Sequence, residues 1–148
     1  MTLLHLRDIA DRTNHRFSIT SEIRDVRDRQ LAEVTRADDF IVGERLISLL
    51  LTQVSENKEL NHVFQDLFRS EGSEIYLKPA VDYVRPGSEV TFATIVESAR
   101  QRGEIAIGYR QKAFAGDASK TYGVRTNPPK ASRVSLVDGD QVVVLAEN

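Results

Sequence analysis

The sequence predicts an α/β protein whose first half holds parallel strands and whose second half is a smaller α+β lobe. In the first half helices separate short strands, and parallel strands need crossovers of this kind. In the second half short strand patterns are punctuated by turn signals such as Pro86-Gly87 and Asp138-Gly139. The chain of 148 residues is 41% hydrophobic and 28% charged, so it can form a core without a disulfide or a metal.

Apolar spacing predicts the elements of the first half. Helices are predicted where leucine and isoleucine recur every three or four residues, and strands are predicted where apolar and polar residues alternate. The predicted elements are a helix over residues 2–14, a strand over 16–23, a helix that begins at Asp25, a strand over 39–42, and amphipathic helices over 46–54 and 60–68. This order favours a doubly wound parallel sheet.

Composition changes near residues 70–73, which predicts a boundary between a first domain at 1–69 and a second at 70–148. A strand over 74–78, a helix over 92–99 and a strand over 104–109 are predicted beyond it. The polar stretch 112–122 is expected to be a mobile loop. Asp138-Gly139 predicts a β-hairpin over residues 134–145, since this dipeptide favours the positive φ angles of a two-residue turn.

Several classes of chemistry have no motif in this sequence. It has no cysteine, which excludes thiolate metal sites and cysteine nucleophiles. It contains no Gly-x-Gly-x-x-Gly turn, no Gly-x-x-x-x-Gly-Lys loop and no Gly-x-Ser-x-Gly nucleophile elbow. We therefore expect no catalytic residues, and no nicotinamide cofactor held by this chain in the usual way. The first half is expected to be the back end of a dinucleotide-binding type of domain cut from a longer polypeptide.

Three carboxylates, Glu22, Asp25 and Asp28, follow the first predicted strand and begin the next helix. Open α/β sheets bind ligands at the carboxyl ends of their strands, and carboxylate oxygens suit a divalent cation such as calcium. Helix capping and solvation explain Asp25 and Asp28 equally without a ligand. Both interpretations stay open at this point.

The charge of the chain is unevenly distributed. Residues 1–99 carry 12 basic and 17 acidic side chains, whereas residues 100–133 carry eight basic and two acidic ones, a net charge of +6. Arg110, Asn127 and Lys130 in this basic segment are candidates for an anion site, because arginine can give a phosphate or carboxylate two parallel hydrogen bonds. The alternative is a solvated face with a turn at Asn127. Nucleic acid is not an expected partner, since the whole chain is acidic and poor in aromatic residues.

Seven stretches together resemble the CASTOR/POLLUX-type ion channels and their bacterial relatives. They are LLHLRDIADR (3–12), FSITSE (17–22), DDFIV (38–42), GSEIYLKP (72–79), GEIAIGYR (103–110), NPPK (127–130) and GD (139–140). The resemblance implies a regulatory region of the RCK or TrkA type, in which residues 1–69 are the tail of a Rossmann-like lobe and residues 73–148 a small C-terminal lobe.

The resemblance also implies a function. It is a non-catalytic, gating-ring type of role in a potassium or other cation channel or transporter, on the cytoplasmic side of the membrane within a longer protein. The pore domain of the same polypeptide would be a partner, and NAD or a divalent cation would be a cofactor of the full-length protein. The alternative is a fragment of an NAD-binding Rossmann oxidoreductase, which would need an acid, base or nucleophile converging on a cleft.

The helices at 46–54 and 60–68 carry a large apolar surface. In proteins of the RCK type the corresponding helical connection pairs lobes, so the resemblance implies a homodimer through Leu50, Leu51, Phe64 and Phe68. Intramolecular packing of these helices on the truncated sheet is the alternative.

Overall fold

The computed structural model describes residues 5, 8–9, 12–13, 20–23, 39–69 and 71–147. The chain forms two compact units, residues 1–62 and residues 63–148. The boundary predicted from composition lies a few residues later, and the assignment of residues 1–69 and 70–148 as separate domains stays a prediction.

The first unit contains a parallel pair of strands. Strand β1 (Thr20–Ile23) lies beside β2 (Asp39–Val42), with Thr20 opposite Asp39 and Ile23 opposite Val42. The parallel pairing confirms the α/β class predicted from helices placed between strands. The predicted helix that begins at Asp25 lies outside the described residues.

Two amphipathic helices follow the parallel pair in the chain. Helix α1 (Gly43–Glu56) directly continues β2, and helix α2 (Leu60–Leu67) begins after a turn in which the side chain of Asn57 accepts a hydrogen bond from the Glu59 amide. Neither helix has a buried residue. Five of their apolar side chains are exposed, namely Leu46, Ile47, Leu49, Leu51 and Val63.

The second unit is a small antiparallel α+β lobe, as predicted. A four-stranded sheet has the order β3-β8-β5-β6, and a second pair joins β4 to β7. The bounds of its elements are β3 (Ser73–Pro79), β4 (Glu89–Thr91), α3 (Phe92–Gln101), β5 (Ile105–Arg110), β6 (Val124–Thr126), β7 (Arg133–Ser135) and β8 (Gln141–Glu147). The central strand β8 pairs with both β3 and β5.

The core of this lobe lies between the sheet and α3. The largest fully buried side chains are Phe92, Ile95, Leu136, Val142 and Val144. The rings of Phe92 and Tyr109 lie 6.3 Å apart at an interplanar angle of 56°, a tilted arrangement favoured by aromatic pairs. This packing holds β5 against α3 and so fixes the strand that leads into the basic segment.

The predicted hairpin at residues 134–145 is wrong. Strand β7 pairs with β4, while β8 pairs with β3 and β5, so the Asp138-Gly139 turn connects two separate sheets. The turn itself is present, with the Asp140 amide donating to the Val137 carbonyl at 3.0 Å and Gly139 at φ 87°. A two-residue turn signal specifies the reversal of the chain but not the partner of the following strand.

A buried carboxylate joins three elements at one end of this lobe. The side chain of Glu104 is 9% exposed and accepts hydrogen bonds from the Lys78 ammonium at 2.7 Å and from the Tyr83 hydroxyl. Burial acts to raise the pKa of Glu104, but the hydrogen bonds from Lys78 and Tyr83 outweigh it, and the pKa lies below its ordinary value. Burial, together with the hydrogen bond to Glu104, raises the pKa of Tyr83.

Candidate functional site

A pocket of about 360 Å³ opens where β5 ends and β6 begins. Its lining includes the polar residues Gln111, Lys120, Thr121 and Arg125 and the aromatic residues Phe114 and Tyr109, of which Tyr109 is 5% exposed and packs its ring on Phe92. Its volume is at the lower end of the range for small-molecule sites, about 300–1,000 Å³. The pocket lies within the basic segment 100–133 that the sequence singles out.

The loop that forms the pocket wall, residues 111–123, has defined turns and hydrogen bonds, and the expectation that residues 112–122 are mobile stays a prediction. It contains two short 3₁₀ turns, Lys112–Phe114 and Ala118–Gly123. Buried Asp140 accepts the Lys112 amide at 2.8 Å and the Val137 amide at 2.9 Å, which ties the start of the loop to the turn before β8. Buried charge is tolerated here because both carboxylate oxygens are hydrogen-bonded.

The end of the loop is fixed by a close approach at Gly123. Its φ is 80°, and a Cβ atom there would lie 2.2 Å from the Gln111 carbonyl oxygen. The Gln111 amide donates to the Gly123 carbonyl at 3.0 Å, so the two sides of the loop are joined directly. Glycine is required at this position both for its backbone angle and for the space.

The two residues before Gly123, Thr121 and Tyr122, have left-handed backbone angles. Thr121 has φ 53° and ψ 38°, a left-handed conformation that β-branched residues rarely adopt and that costs on the order of 1–3 kcal/mol. It places Thr121 on the pocket wall. Such strain persists where surrounding structure enforces it, and it is found preferentially at functional sites.

The two basic side chains of the pocket are placed differently. The Lys120 ammonium lies 3.9 Å from the centroid of the Phe114 ring, which is a cation–π contact. Arg125 is exposed and has no carboxylate partner within the described residues. Asp117 in the same loop is engaged by Ser119, whose side-chain hydrogen bond holds the pKa of that carboxyl below its ordinary value.

The three anion-site residues predicted from sequence occupy different places. Arg110 ends β5 and donates to the Gln141 side chain at 3.0 Å. Asn127 follows β6 at the opposite end of the β5–β6 pair, where its amide donates to the Ile107 carbonyl at 2.7 Å. The Lys130 ammonium lies 4.6 Å from the Phe92 ring centroid. No contact among the described residues joins the three, and an anion site at Arg110, Asn127 and Lys130 stays a prediction.

Residues 127–132 have a structural role that their sequence did not reveal. The carbonyls of Lys130 and Ser132 accept the first two amides of α3, those of Ala93 and Phe92, each at 2.9 Å. The first four amides of a helix have no partner within the helix, so this turn satisfies two of them. The Ser132 amide in turn donates to the Pro129 carbonyl at 2.9 Å, so the turn at residues 129–132 supports the start of α3.

The predicted cation site lies largely outside the described residues. Glu22 is the third residue of β1, and the structure describes its backbone, while Asp25 and Asp28 lie in a range it does not describe. In the described ranges no three histidine, cysteine, aspartate or glutamate side chains come together as a metal site would require. The cation site at Glu22, Asp25 and Asp28 stays a prediction.

The predicted dimer residues lie on helices with exposed apolar faces. Leu51 on α1 is 64% exposed, and Phe68, which directly follows α2, is 66% exposed. Leu50 and Phe64 are half-buried, and the rings of Phe64 and Phe68 stack with centroids 6.3 Å apart. Within the described part of the chain, none of the helices is long and apolar enough to cross a membrane.

Comparison with known proteins identifies relatives of this chain. The CASTOR ion channel of Lotus japonicus is 36% identical over 129 residues, 87% of this chain, and a probable POLLUX channel of Oryza sativa subsp. japonica is 39% identical over 127 residues. The DMI1 ion channel of Medicago truncatula is 42% identical over 92 residues, 62% of this chain. The homologues of the present chain are therefore CASTOR/POLLUX-type ion channels. The resemblance that seven sequence stretches indicate is thereby confirmed.

The CASTOR/POLLUX homology covers a small part of each relative. The chain spans 14% of the Lotus channel, 12% of the rice channel and 10% of the Medicago channel. No family model matches the chain. Among solved structures, a GsuK channel bound to NAD aligns with a TM-score of 0.39 at 14% identity, over 99% of this chain and 23% of that one. A GsuK RCK domain aligns with a TM-score of 0.36 at 15% identity, over 99% of this chain and 28% of that one.

Sequence reasoning missed Lys120 and Thr121 as pocket residues. The charge count points to their segment, but a loop expected to be mobile offers no fixed geometry from which to choose residues. Gly123 and Asp140 are the two signals that the sequence offers. A glycine directly before a strand can take the positive φ that closes a loop, and an aspartate before a buried strand can accept hydrogen bonds from loop amides.

Proposed function

We propose that this chain is a non-catalytic regulatory segment of a cation channel, in which its conformation biases the pore between closed and open states. The observation that supports the proposal is the 36% identity to an ion channel over 87% of the chain. A soluble lobe can bias a gate if it has different free energies in the two gating states. The RCK-type organisation, the potassium specificity and the place on the cytoplasmic face belong to this proposal.

The geometry fits a regulatory role better than a catalytic one. The pocket offers two cations and aromatic surface but no paired acid, base and nucleophile at hydrogen-bonding distance within the described residues. The full-length channel would supply the pore and any dinucleotide site, since this sequence has no Gly-x-Gly-x-x-Gly turn.

The proposal is tested by replacing the matching segment of a related ion channel with this chain. In the Lotus CASTOR channel the matching segment is either deleted or replaced with this chain, and cation flux is measured in liposomes. We expect the deletion to change flux about fivefold or more, the range of ordinary coupling free energies, and the replacement to restore the original flux. Unchanged flux after deletion would contradict a regulatory role.

Assembly of the segment is part of the same proposal. The apolar faces of α1 and α2 are proposed to pack against the same faces of a second copy, in a symmetric dimer that includes Leu50, Leu51, Phe64 and Phe68. The support is the exposure of Leu51 on α1 and of Phe68 directly after α2, both above 60%, together with the lack of any buried residue in the two helices. A two-fold axis pairs a patch with itself, so the apolar face of each helix can meet the same face of the second copy.

Light scattering of the isolated chain at micromolar concentration should report twice 16.6 kDa. Leu51→Asp and Phe68→Asp should each return the mass to that of a monomer, because a carboxylate in an apolar interface has no partner. Val137→Asp is the matched control, since Val137 is 51% exposed in the turn before β8 and should leave the dimer intact. A monomeric wild-type chain, or a dimer that survives both helix variants, would refute this interface.

A further inference from the structure

We propose that the open edge of β3 pairs with the same edge of a second copy of this chain, antiparallel and about a two-fold axis at Tyr76. β3 lies at the edge of the four-stranded sheet, with β8 on one side and no described strand on the other. Such an edge offers unpaired backbone donors and acceptors to another strand. The contact is separate from the helix interface proposed above, and it requires neither that interface nor a role in a channel.

The hydrogen bonds to β8 show which backbone groups of β3 face the open edge. Ala80 continues the register of the two strands, and its amide donates to the Asp140 carbonyl at 2.9 Å. Bonded and non-bonded positions alternate along an antiparallel pair. Tyr76 therefore bonds to β8, whereas Ile75 and Leu77 turn their N–H and C=O groups toward the open edge. Across the two-fold axis these two residues can exchange both of their hydrogen bonds.

The sequence of β3 is complementary to itself when two copies run antiparallel. With Tyr76 on the axis, Ile75 meets Leu77 of the second copy. Glu74 meets Lys78 of the second copy. The two apolar side chains are 52% and 48% exposed, so the pairing covers surface that is open in one copy. Apolar and opposite-charge pairs across strands both stabilise a sheet. An axis at Ile75 or at Leu77 would lose both charge pairs.

The two charged side chains are placed to form this pair. Within the described residues Glu74 accepts one hydrogen bond, from the Tyr76 hydroxyl at 2.8 Å. Lys78 donates to Glu104 at 2.7 Å, and its ammonium has two further N–H donors. The Lys78 side chain is 31% exposed, so a carboxylate of the second copy can reach it. Lys78 can therefore keep its bond to Glu104 and bind Glu74 of the second copy.

The contact is small and is expected to be weak. An edge of seven residues covers far less than the roughly 800 Å² per partner of a standard stable interface. We therefore expect pairing at about millimolar concentration, which leaves the light-scattering result at micromolar concentration to the helices. Tethering of several copies in one assembly supplies effective concentrations of millimolar order.

Disulfide trapping tests the pairing and its register. The chain has no cysteine, so a single introduced thiol reports on one position. The Cα atoms of the two Tyr76 residues would lie about 4.5 Å apart, a distance that a disulfide spans. Those of the two Ile75 residues would lie about 8–9 Å apart, beyond the limit of about 7 Å. Every variant also carries Leu51→Asp, so that failure of the helix interface leaves this test unaffected.

Tyr76→Cys should form a covalent dimer about tenfold faster than Ile75→Cys under mild oxidation at about 1 mM. Random collision would favour Ile75→Cys, because Ile75 is the more exposed residue. Equal rates, or a faster reaction of Ile75→Cys, would overturn the proposal. The melting temperature of each reduced variant is measured alongside, so that a change in rate is not a loss of fold.

A proline at position 77 should block the pairing in the Tyr76→Cys chain. The Leu77 amide faces the open edge, so Leu77→Pro removes a donor from the contact without removing a bond to β8. We expect a rate about tenfold lower, the effect of one lost hydrogen bond in each copy. Leu77→Thr is the matched control, since it keeps the amide and should keep most of the rate. Equal rates with proline and threonine would contradict pairing through the backbone.

Hydrogen exchange tests the same contact with β3 unaltered. In the Leu51→Asp chain the Ile75 and Leu77 amides should exchange several-fold more slowly at about 1 mM than at about 10 μM. The Tyr76 amide is the internal control, because it bonds to β8 and should be protected equally at both concentrations. Exchange at Ile75 and Leu77 that does not depend on concentration would overturn the proposal.

Discussion

Replacing Gly123 with alanine is expected to destabilise the second unit by about 3–5 kcal/mol. The new Cβ would stand 2.2 Å from the Gln111 carbonyl oxygen, and the residue would keep a φ of 80°. The backbone of Gln111 cannot move aside easily, because its amide donates to the Gly123 carbonyl. For a lobe of this size the melting temperature should fall by about 10 °C or more.

Gly103→Ala measures the free-energy cost of the backbone angle alone, without the steric clash that Gly123→Ala adds. Gly103 has φ 77°, nearly that of Gly123, but nothing lies within 4 Å of the position its Cβ would take. We expect this variant to lose about 1–2 kcal/mol, the cost of a left-handed non-glycine residue. Equal losses in the two variants, measured by urea unfolding, would contradict the close approach of the loop to Gln111.

Replacing Glu104 with glutamine is expected to cost about 2–3 kcal/mol of unfolding free energy at pH 7. The change removes the charge that the Lys78 ammonium meets at 2.7 Å and that the Tyr83 hydroxyl donates to. Glu97→Gln is the matched control, since the Glu97 carboxylate pairs with Arg100 on the exposed face of α3 and its loss should matter far less.

The cost of Glu104→Gln should depend on pH in a defined direction. The pKa of Glu104 is lower in the folded chain than its ordinary value of 4.5, so the folded state favours the ionised form. Its contribution is complete above that ordinary value and is lost as pH falls through the folded value. The difference in unfolding free energy between wild type and variant should therefore shrink as the pH falls below 4.5. A difference that is constant or grows at low pH would contradict a stabilised carboxylate.

Local elements of this protein follow from its sequence because their causes are local. The strand at Asp39–Val42 has the predicted bounds, and α3 covers the predicted spacing of Phe92, Ile95 and Ala99, three side chains that are all buried. Turn signals at Pro86-Gly87 and Asp138-Gly139 are likewise present, with both glycines at positive φ. Periodicity and turn chemistry involve residues within a few positions of each other.

The candidate site did not follow from the sequence because its causes are distant in the chain. The geometry of the 111–123 loop depends on Asp140, which is 28 residues from Lys112, and on the contact of Gly123 with Gln111. The pairing of β7 with β4 joins segments 44 residues apart, as the ion pair of Arg133 with Glu89 shows. Sequence patterns identify such residues as polar, basic or flexible, but the partners are chosen by tertiary packing.

Single-channel recording most directly tests the claim that this chain regulates a pore. The recording uses the Lotus CASTOR channel in which this chain replaces the matching segment. In that channel Gly123→Ala should change the open probability. The unitary conductance should stay equal to that of the same channel with Gly123. A regulatory lobe biases the equilibrium between gating states and does not line the conduction path. A changed unitary conductance with an unchanged open probability would contradict the account.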